Sequence, residues 1–177
     1  MNHQHQRREG ALSGVRVIDA GQIIAGPFTA TLLGEFGAEV LKVEQPRVGD
    51  QGRGGEPLSP EFAQNARNKK SITLDLHRPE GQALFKQLVA VADVVVENFR
   101  PGTMERWGLG YEDLAAVNPG IVMLRVSGYG QTGPYRHKYS FDRIGMAFGG
   151  LTYVTGYPDR PPVRPGFYIA DYVTGLW

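Results

Sequence analysis

The sequence contains no cysteine. That absence excludes disulfides, thiolate-bound zinc, iron–sulfur clusters and a cysteine nucleophile. Charge of one sign is missing too: 19 Lys and Arg stand against 18 Asp and Glu, a formal net charge of +1. A dedicated nucleic-acid binder needs a basic face to displace counterions, so no nucleic-acid partner is expected. No apolar run approaches the roughly 20 residues of a membrane-spanning helix. The first ten residues, MNHQHQRREG, lack the apolar stretch of a secretory signal. They read as part of a disordered tail over residues 1–11. The expectation is a soluble, cytoplasmic protein without membrane contact. Away from the tail only His77 and His137 are histidines, and neither has a second histidine nearby in sequence, so no metal site is expected.

Glycine and proline are abundant instead. Gly (24) and Pro (12) make up about a fifth of the 177 residues, against about 12% in an average protein. They fall between apolar runs rather than in low-complexity tracts, which implies many tight turns and closely approached backbone. No internal repeat is present. Short β-branched runs at 15–19, 38–44, 71–76, 93–98 and 121–126 predict five strands. Helices are predicted at Pro27–Phe36, at Pro79–Ala92, in broken form over 104–117, and at Asp142–Tyr153. In the Pro79–Ala92 helix, Leu84, Leu88 and Val91 form the expected apolar stripe, with Phe85 beside it. Residues 45–70 read as one long connection. Alternation of strand and helix predicts an α/β fold: a Rossmann-like, mostly parallel sheet with helices on both faces.

A dinucleotide enzyme of that fold would carry G-x-G-x-x-G after its first strand. Here the turn reads Ala20-Gly21-Gln22-Ile23-Ile24-Ala25-Gly26-Pro27, with the wrong glycine spacing and a proline where an amide donor is wanted. A Walker A lysine is missing as well. Ligands of open α/β sheets nevertheless lie beyond the carboxyl ends of the strands. Three of those ends, GQIIAGP, ENFRPG and SGYGQTGP, mix glycine or proline with polar and aromatic side chains and suggest a pocket. Basic residues cluster near them in sequence: Arg67, Lys69, Lys70, Arg100, Arg106, Arg136, His137 and Lys138 could neutralise phosphate groups. Asp171, a carboxylate in an apolar stretch, reads either as a helix N-cap or as a carboxylate nucleophile pre-oriented by that cap.

The blocks LSGVRVIDAGQIIAGPFTATLLGEFGAEVLKVEQPRVGD, NARNKKSITLDLHRPEG, DVVVENFRPGTMERWGLGYEDL and SGYGQTGP resemble the family III CoA-transferases in order and spacing. These are the enzymes related to formyl-CoA transferase, carnitine CoA-transferase and α-methylacyl-CoA racemase. The resemblance runs from Leu12 to the last residue. It implies transfer of CoA from an acyl-CoA to a carboxylic acid through a mixed anhydride and a thioester on one aspartate, matched here by Asp171. No prosthetic group or metal is implied; coenzyme A and acyl-CoA are substrates.

The same resemblance implies that Gln22, Ile23, Ile24 and Ala25 hold CoA, with Leu74 near the adenine, Asn98 in the E-N-F-x-P-G block and Arg106 at phosphate. Two positions depart from the pattern. Gln45 stands where some members have a basic residue, and Lys138 is one residue away from a family lysine for which it would substitute. A racemase would need a histidine where this chain has Phe141, so transfer is favoured over isomerisation. Family members are considerably longer and form interlocked homodimers. Residues 12–177 are therefore expected to be the N-terminal part of a truncated CoA-binding large domain, with the second domain and C-terminal part absent. Alternatives are a racemase-like isomerase, or a non-catalytic CoA-binding fragment that forms no such dimer.

Overall fold

The computed structural model describes residues 10–55 and 57–177 of the chain. Residues 1–9, which carry most of the expected tail, and Glu56 lie outside the described residues. The chain alternates strand and helix: β1 (Arg16–Asp19), α1 (Ala25–Glu35), β2 (Glu39–Glu44), α2 (Pro60–Asn65), β3 (Lys70–Thr73), α3 (Pro79–Val89), β4 (Val94–Glu97), α4 (Thr103–Arg106), α5 (Tyr111–Ala115), β5 (Val122–Arg125), α6 (Asp142–Phe148) and α7 (Ile169–Leu176). All strand pairs are parallel and the sheet order is β3-β2-β1-β4-β5. Ile18 of β1 is the register centre, opposite Leu41 on one side and Val95 on the other.

Successive residues of a strand point to opposite faces, and in the central strands β1, β2 and β4 both faces are covered. On one, Ile18, Val43 and Val95 pack with Phe85 and Val89 of α3 and with Met104, Leu109 and Leu114. On the other, Val17, Val40 and Val96 meet Ala30 of α1. Phe85 is fully buried, so its truncation to alanine would cost about 3–5 kcal/mol.

The apolar stripe of α3 differs from the expected one. Gly81, Phe85 and Val89 face the core, whereas Leu84 and Val91 are exposed. Gly81 explains the phase: a Cβ there would lie 2.1 Å from the Asp75 carbonyl oxygen, so this face must approach backbone. The long connection at 45–70 is not without structure. It contains a 3₁₀ turn at Gln51–Arg53 and the helix α2, whose N-cap Ser59 Oγ accepts from the Phe62 amide at 3.0 Å with Pro60 in the first turn. Helix α6 stops at Phe148, short of Tyr153, because Gly149 and Gly150 follow.

The sheet grows from β1 in both directions, to β2 and β3 on one side and to β4 and β5 on the other. The point between β1 and β4 is therefore where consecutive loops diverge and leave a crevice.

Candidate functional site

A cavity of about 320 Å³ occupies that crevice. The three loops singled out by their composition all line it: Gln22, Ile23, Ile24 and Ala25 after β1, Asn98, Phe99 and Arg100 after β4, and Ser127 with Gly128 after β5. Asp171 lines it from α7, and Asp142 and Phe141 from the start of α6.

The turn after β1 is held in a strained shape. Ile23 has φ +67°, a left-handed conformation that a β-branched residue rarely adopts. Hydrogen bonds over-determine it. Asn98 accepts from the Gln22 amide and donates to the Gln22 carbonyl, both at 2.8 Å. Asp50 Oδ1 accepts from the Ile23 amide at 2.9 Å, and Asp19 Oδ1 from the Gly21 amide at 2.9 Å. Behind these lie two buried lysines. Lys42 Nζ contacts Asp50 at 2.7 Å and Asp19 at 3.5 Å and donates to the Gly21 carbonyl. Lys69 Nζ reaches Asp19 at 2.8 Å and the Pro27 and Asn65 carbonyls at 2.6 and 2.8 Å. Two cations and two carboxylates thus balance beneath the turn, as buried charges must.

Asp171 is not the N-cap that spacing suggested. It is the third residue of α7, whose cap position is Tyr168, and its carboxylate stays half-buried at the cavity wall. The cap comes from far away: Asp142 Oδ1 accepts from the amides of Ala170 at 2.8 Å and Asp171 at 3.4 Å. Burial first, and the nearby Asp142 carboxylate second, push the Asp171 pKa up to about 6. Packing against α1 fixes the helix that carries it. Phe28 and Tyr172 meet edge to face at 4.8 Å, and Thr29 Oγ1 donates to the Gly175 carbonyl. Gly175 permits this approach, since a Cβ there would lie 2.8 Å from the Phe28 ring.

The other expected residues spread outward from Asp171. Leu74 lines an adjoining space of about 330 Å³ with Gln45, His77 and Trp107. That space shares Gln22, Gln51, Phe99 and Arg100 with the first, so the two form one continuous surface. Arg106 lies further along, in a small basic recess with Arg100, Pro101 and His137. Arg100 links these parts. Its guanidinium stacks 3.8 Å from the Tyr139 ring centroid and donates to the His137 carbonyl at 2.9 Å. Lys138 is not among the residues around these spaces; its Nζ sits 4.2 Å over the Tyr135 ring.

The basic cluster read from sequence separates in space. Lys69 is buried and engaged as described, Arg67 pairs with Glu35, and Lys70 opens β3 at the amino end of its strand. Sequence reasoning gave no role to Lys42, Asp50, Gln51 and Asp142. Asp142 was visible only as the start of an apolar helix, and its partner lies 29 residues on. Among the described residues no group of three or more His, Asp or Glu side chains is arranged to hold a metal ion, and no helix is long and apolar enough to cross a membrane.

A family model described as CoA-transferase family III matches residues 12–177. The succinyl-CoA–L-malate CoA-transferase beta subunit of Chloroflexus aurantiacus is 55% identical over 174 residues, 94% of this chain and 42% of its own. The human succinyl-CoA:glutarate CoA-transferase is 43% identical over 171 residues, 94% of this chain and 39% of its own. The chain thus spans less than half the length of these curated relatives. A crystal structure of a CAIB/BAIF family protein from Brucella suis superimposes with a TM-score of 0.91 at 39% identity, covering 96% of this chain and 47% of that one.

Proposed function

The chain belongs to CoA-transferase family III, and from that premise we propose that the protein moves CoA from an acyl-CoA to a carboxylic acid, with Asp171 as the nucleophile. The observation that carries this reading is the placement of Asp171: a half-buried carboxylate on the wall of the cavity at the strand ends, within the same lining as Gln22, Ile23, Ile24, Ala25 and Asn98. Covalent catalysis by a carboxylate needs such a group, ionisable near neutral pH and partly stripped of water.

The exchange balances without metal or redox chemistry. The Asp171 carboxylate attacks the thioester carbonyl, the C–S bond breaks, and CoA leaves as thiolate from a mixed anhydride. Thiolate then attacks the aspartyl carbonyl and releases the first carboxylate, leaving CoA on Asp171 as a thioester. The incoming carboxylate attacks that thioester and expels thiolate. Thiolate attack on the new acyl carbonyl restores Asp171 and yields the new acyl-CoA.

Bound CoA would run from Asp171 past Gln22 and Arg100 to Leu74, with the adenine against Leu74 and Trp107 and phosphate near Arg106. The edge-to-face packing of Trp107 on Phe99 and His77 gives that end a rigid apolar wall. Transfer is supported over racemisation because Phe141 rather than a histidine lines the wall beside Asp171, while His137 sits out with Arg106. The relatives' names carry succinyl-CoA, L-malate and glutarate, which supports a short dicarboxylic acid as the acyl group.

Intact-mass and peptide spectrometry after incubation with succinyl-CoA tests the reading. The expected result is an acyl or CoA adduct on the peptide carrying Asp171, absent from Asp171→Ala. A protein that binds CoA yet never carries the adduct would be a binding fragment, and the enzymatic reading would fall.

A further inference from the structure

The exchange just described raises a problem of traffic. CoA stays in place throughout, as thiolate or as thioester, while one acid leaves and another enters. The acid therefore needs a route that CoA does not fill. A second cavity, of about 480 Å³, supplies one. It shares Ile23, Ile24, Gln51, Phe141, Asp142 and Asp171 with the first cavity, and only Gln51 with the space around Leu74. Its own wall is built by the 3₁₀ turn and α2 on one side and by Arg143 and Tyr168 on the other, with Ser59 Oγ bonded to the Gly52 carbonyl at 2.6 Å between them.

We propose that this second cavity seats the exchanging acid and that Arg143 in its wall binds the acid's distal carboxylate, which makes the substrates dicarboxylates. The inference rests on the CoA-transfer reading and adds to it a subsite and a specificity-determining residue. Arg53, Arg100 and Arg164 do not line this cavity: Arg53 pairs with Glu44 at 2.6 Å and lies over Phe62, Arg100 lies over Tyr139, and Arg164 over Tyr168. Arg143 is exposed and forms no ion pair with any described residue, Asp171 included.

Arg143 and Asp171 line one cavity without an ion pair between them, so an acid with a carboxylate at each end can meet Asp171 with one and Arg143 with the other. The remaining charged residues of the wall, Glu61, Asp142 and Asp171, are all acids and attract no carboxylate. An acid that carries a second carboxylate can place its reacting end at Asp171 and still gain from the single cation of the wall. The planar fork of arginine suits that partner.

The test uses the protein with all the sequence its gene encodes, succinyl-CoA held saturating as donor, and glutarate or pentanoate as acceptor. The two acceptors have equal chain length and differ in the distal carboxylate. Glutarate is expected to be used at far lower KM than pentanoate. Arg143→Gln should raise the glutarate KM by about 10- to 100-fold, the effect of removing a charge-assisted hydrogen bond. The pentanoate KM and the kcat at saturation should stay close to their original values, and Arg143→Lys should recover part of the loss. Equal KM for the two acids, or an Arg143→Gln effect that is nil or the same for both, overturns the subsite. Absence of exchange with any acid in the unsubstituted protein overturns the transfer reading, and the subsite with it.

Discussion

Asp142 holds Asp171 by its backbone and opposes it by its charge. The Asp142 Oδ1 atom accepts from the amides of Ala170 and Asp171, which anchors the first turn of α7, while its negative charge adds to the burial that raises the Asp171 pKa. One side chain thus anchors the turn that carries the carboxylate and makes that carboxylate harder to ionise. Both effects cross from α6 to α7 through the Asp142 side chain.

Asp142→Asn separates the two. An asparagine oxygen can still accept from the α7 amides, but the charge is gone. A nucleophilic Asp171 must be ionised, so adduct formation should rise with pH through the Asp171 pKa, about 6, and level off above it. In Asp142→Asn the midpoint should move down toward the ordinary carboxylate range, with little change in stability. Asp142→Ala should lose the cap as well, at about 1 kcal/mol. A pH series of single-turnover adduct formation, read by mass spectrometry, checks this. An unmoved midpoint in Asp142→Asn would show that burial alone sets the value.

The clamp beneath the β1 turn makes a second, thermodynamic prediction. Asp50 is paired with Lys42 at 2.7 Å and also receives the Ile23 amide. Asp50→Ala leaves a buried lysine short of one counter-charge and the part-buried Ile23 amide without its acceptor. The expected loss is about 3–5 kcal/mol of stability, measured by urea unfolding at neutral pH. Asp50→Asn keeps the acceptor for Ile23 and should recover part of it. If instead Asp50→Ala unfolds at the original midpoint, Ile23 is not held at positive φ by this network.

Much of the framework was legible because it depends on neighbours in sequence. Five short β-branched runs separated by helical segments leave few topologies, and the glycine–proline loops mark the strand ends. The phase of α3 was not legible. Leu84, Leu88 and Val91 repeat at helical spacing as well as Phe85 and Val89 do, and only the close approach of Gly81 to Asp75 selects one face. The signal for α2 was present in Ser59-Pro60-Glu61 but lay hidden in a run rich in glycine and proline.

The charged clamp could not be read in advance. A lysine inside a strand looks like an exposed alternate position until Asp19 and Asp50 are brought to it from elsewhere in the chain. The same reasoning separates Lys69 from Arg106. Both read as basic residues near strand ends, yet one is sealed under the turn and the other borders a recess.

That separation bears on which cations meet CoA. Arg106 and Arg100 line the same small recess, whereas Lys138 stacks on Tyr135 outside it. Among the described residues Arg106 is tied only to Thr103, at 2.9 Å, so its guanidinium can be lost without stranding a buried partner. Arg106→Ala should therefore leave the unfolding midpoint nearly unchanged and weaken CoA binding by about tenfold or more, as expected for losing a charge-assisted contact to phosphate. Lys138→Ala should change it by less than about threefold, because an exposed cation without a phosphate partner contributes little. Titration calorimetry with CoA and with dephospho-CoA locates the contact. If Arg106 binds the 3′-phosphate, the Arg106→Ala penalty disappears with dephospho-CoA; if it binds the pyrophosphate, the penalty persists. A large loss in Lys138→Ala with none in Arg106→Ala would reverse the assignment and place the phosphate beside Lys138 and Tyr135.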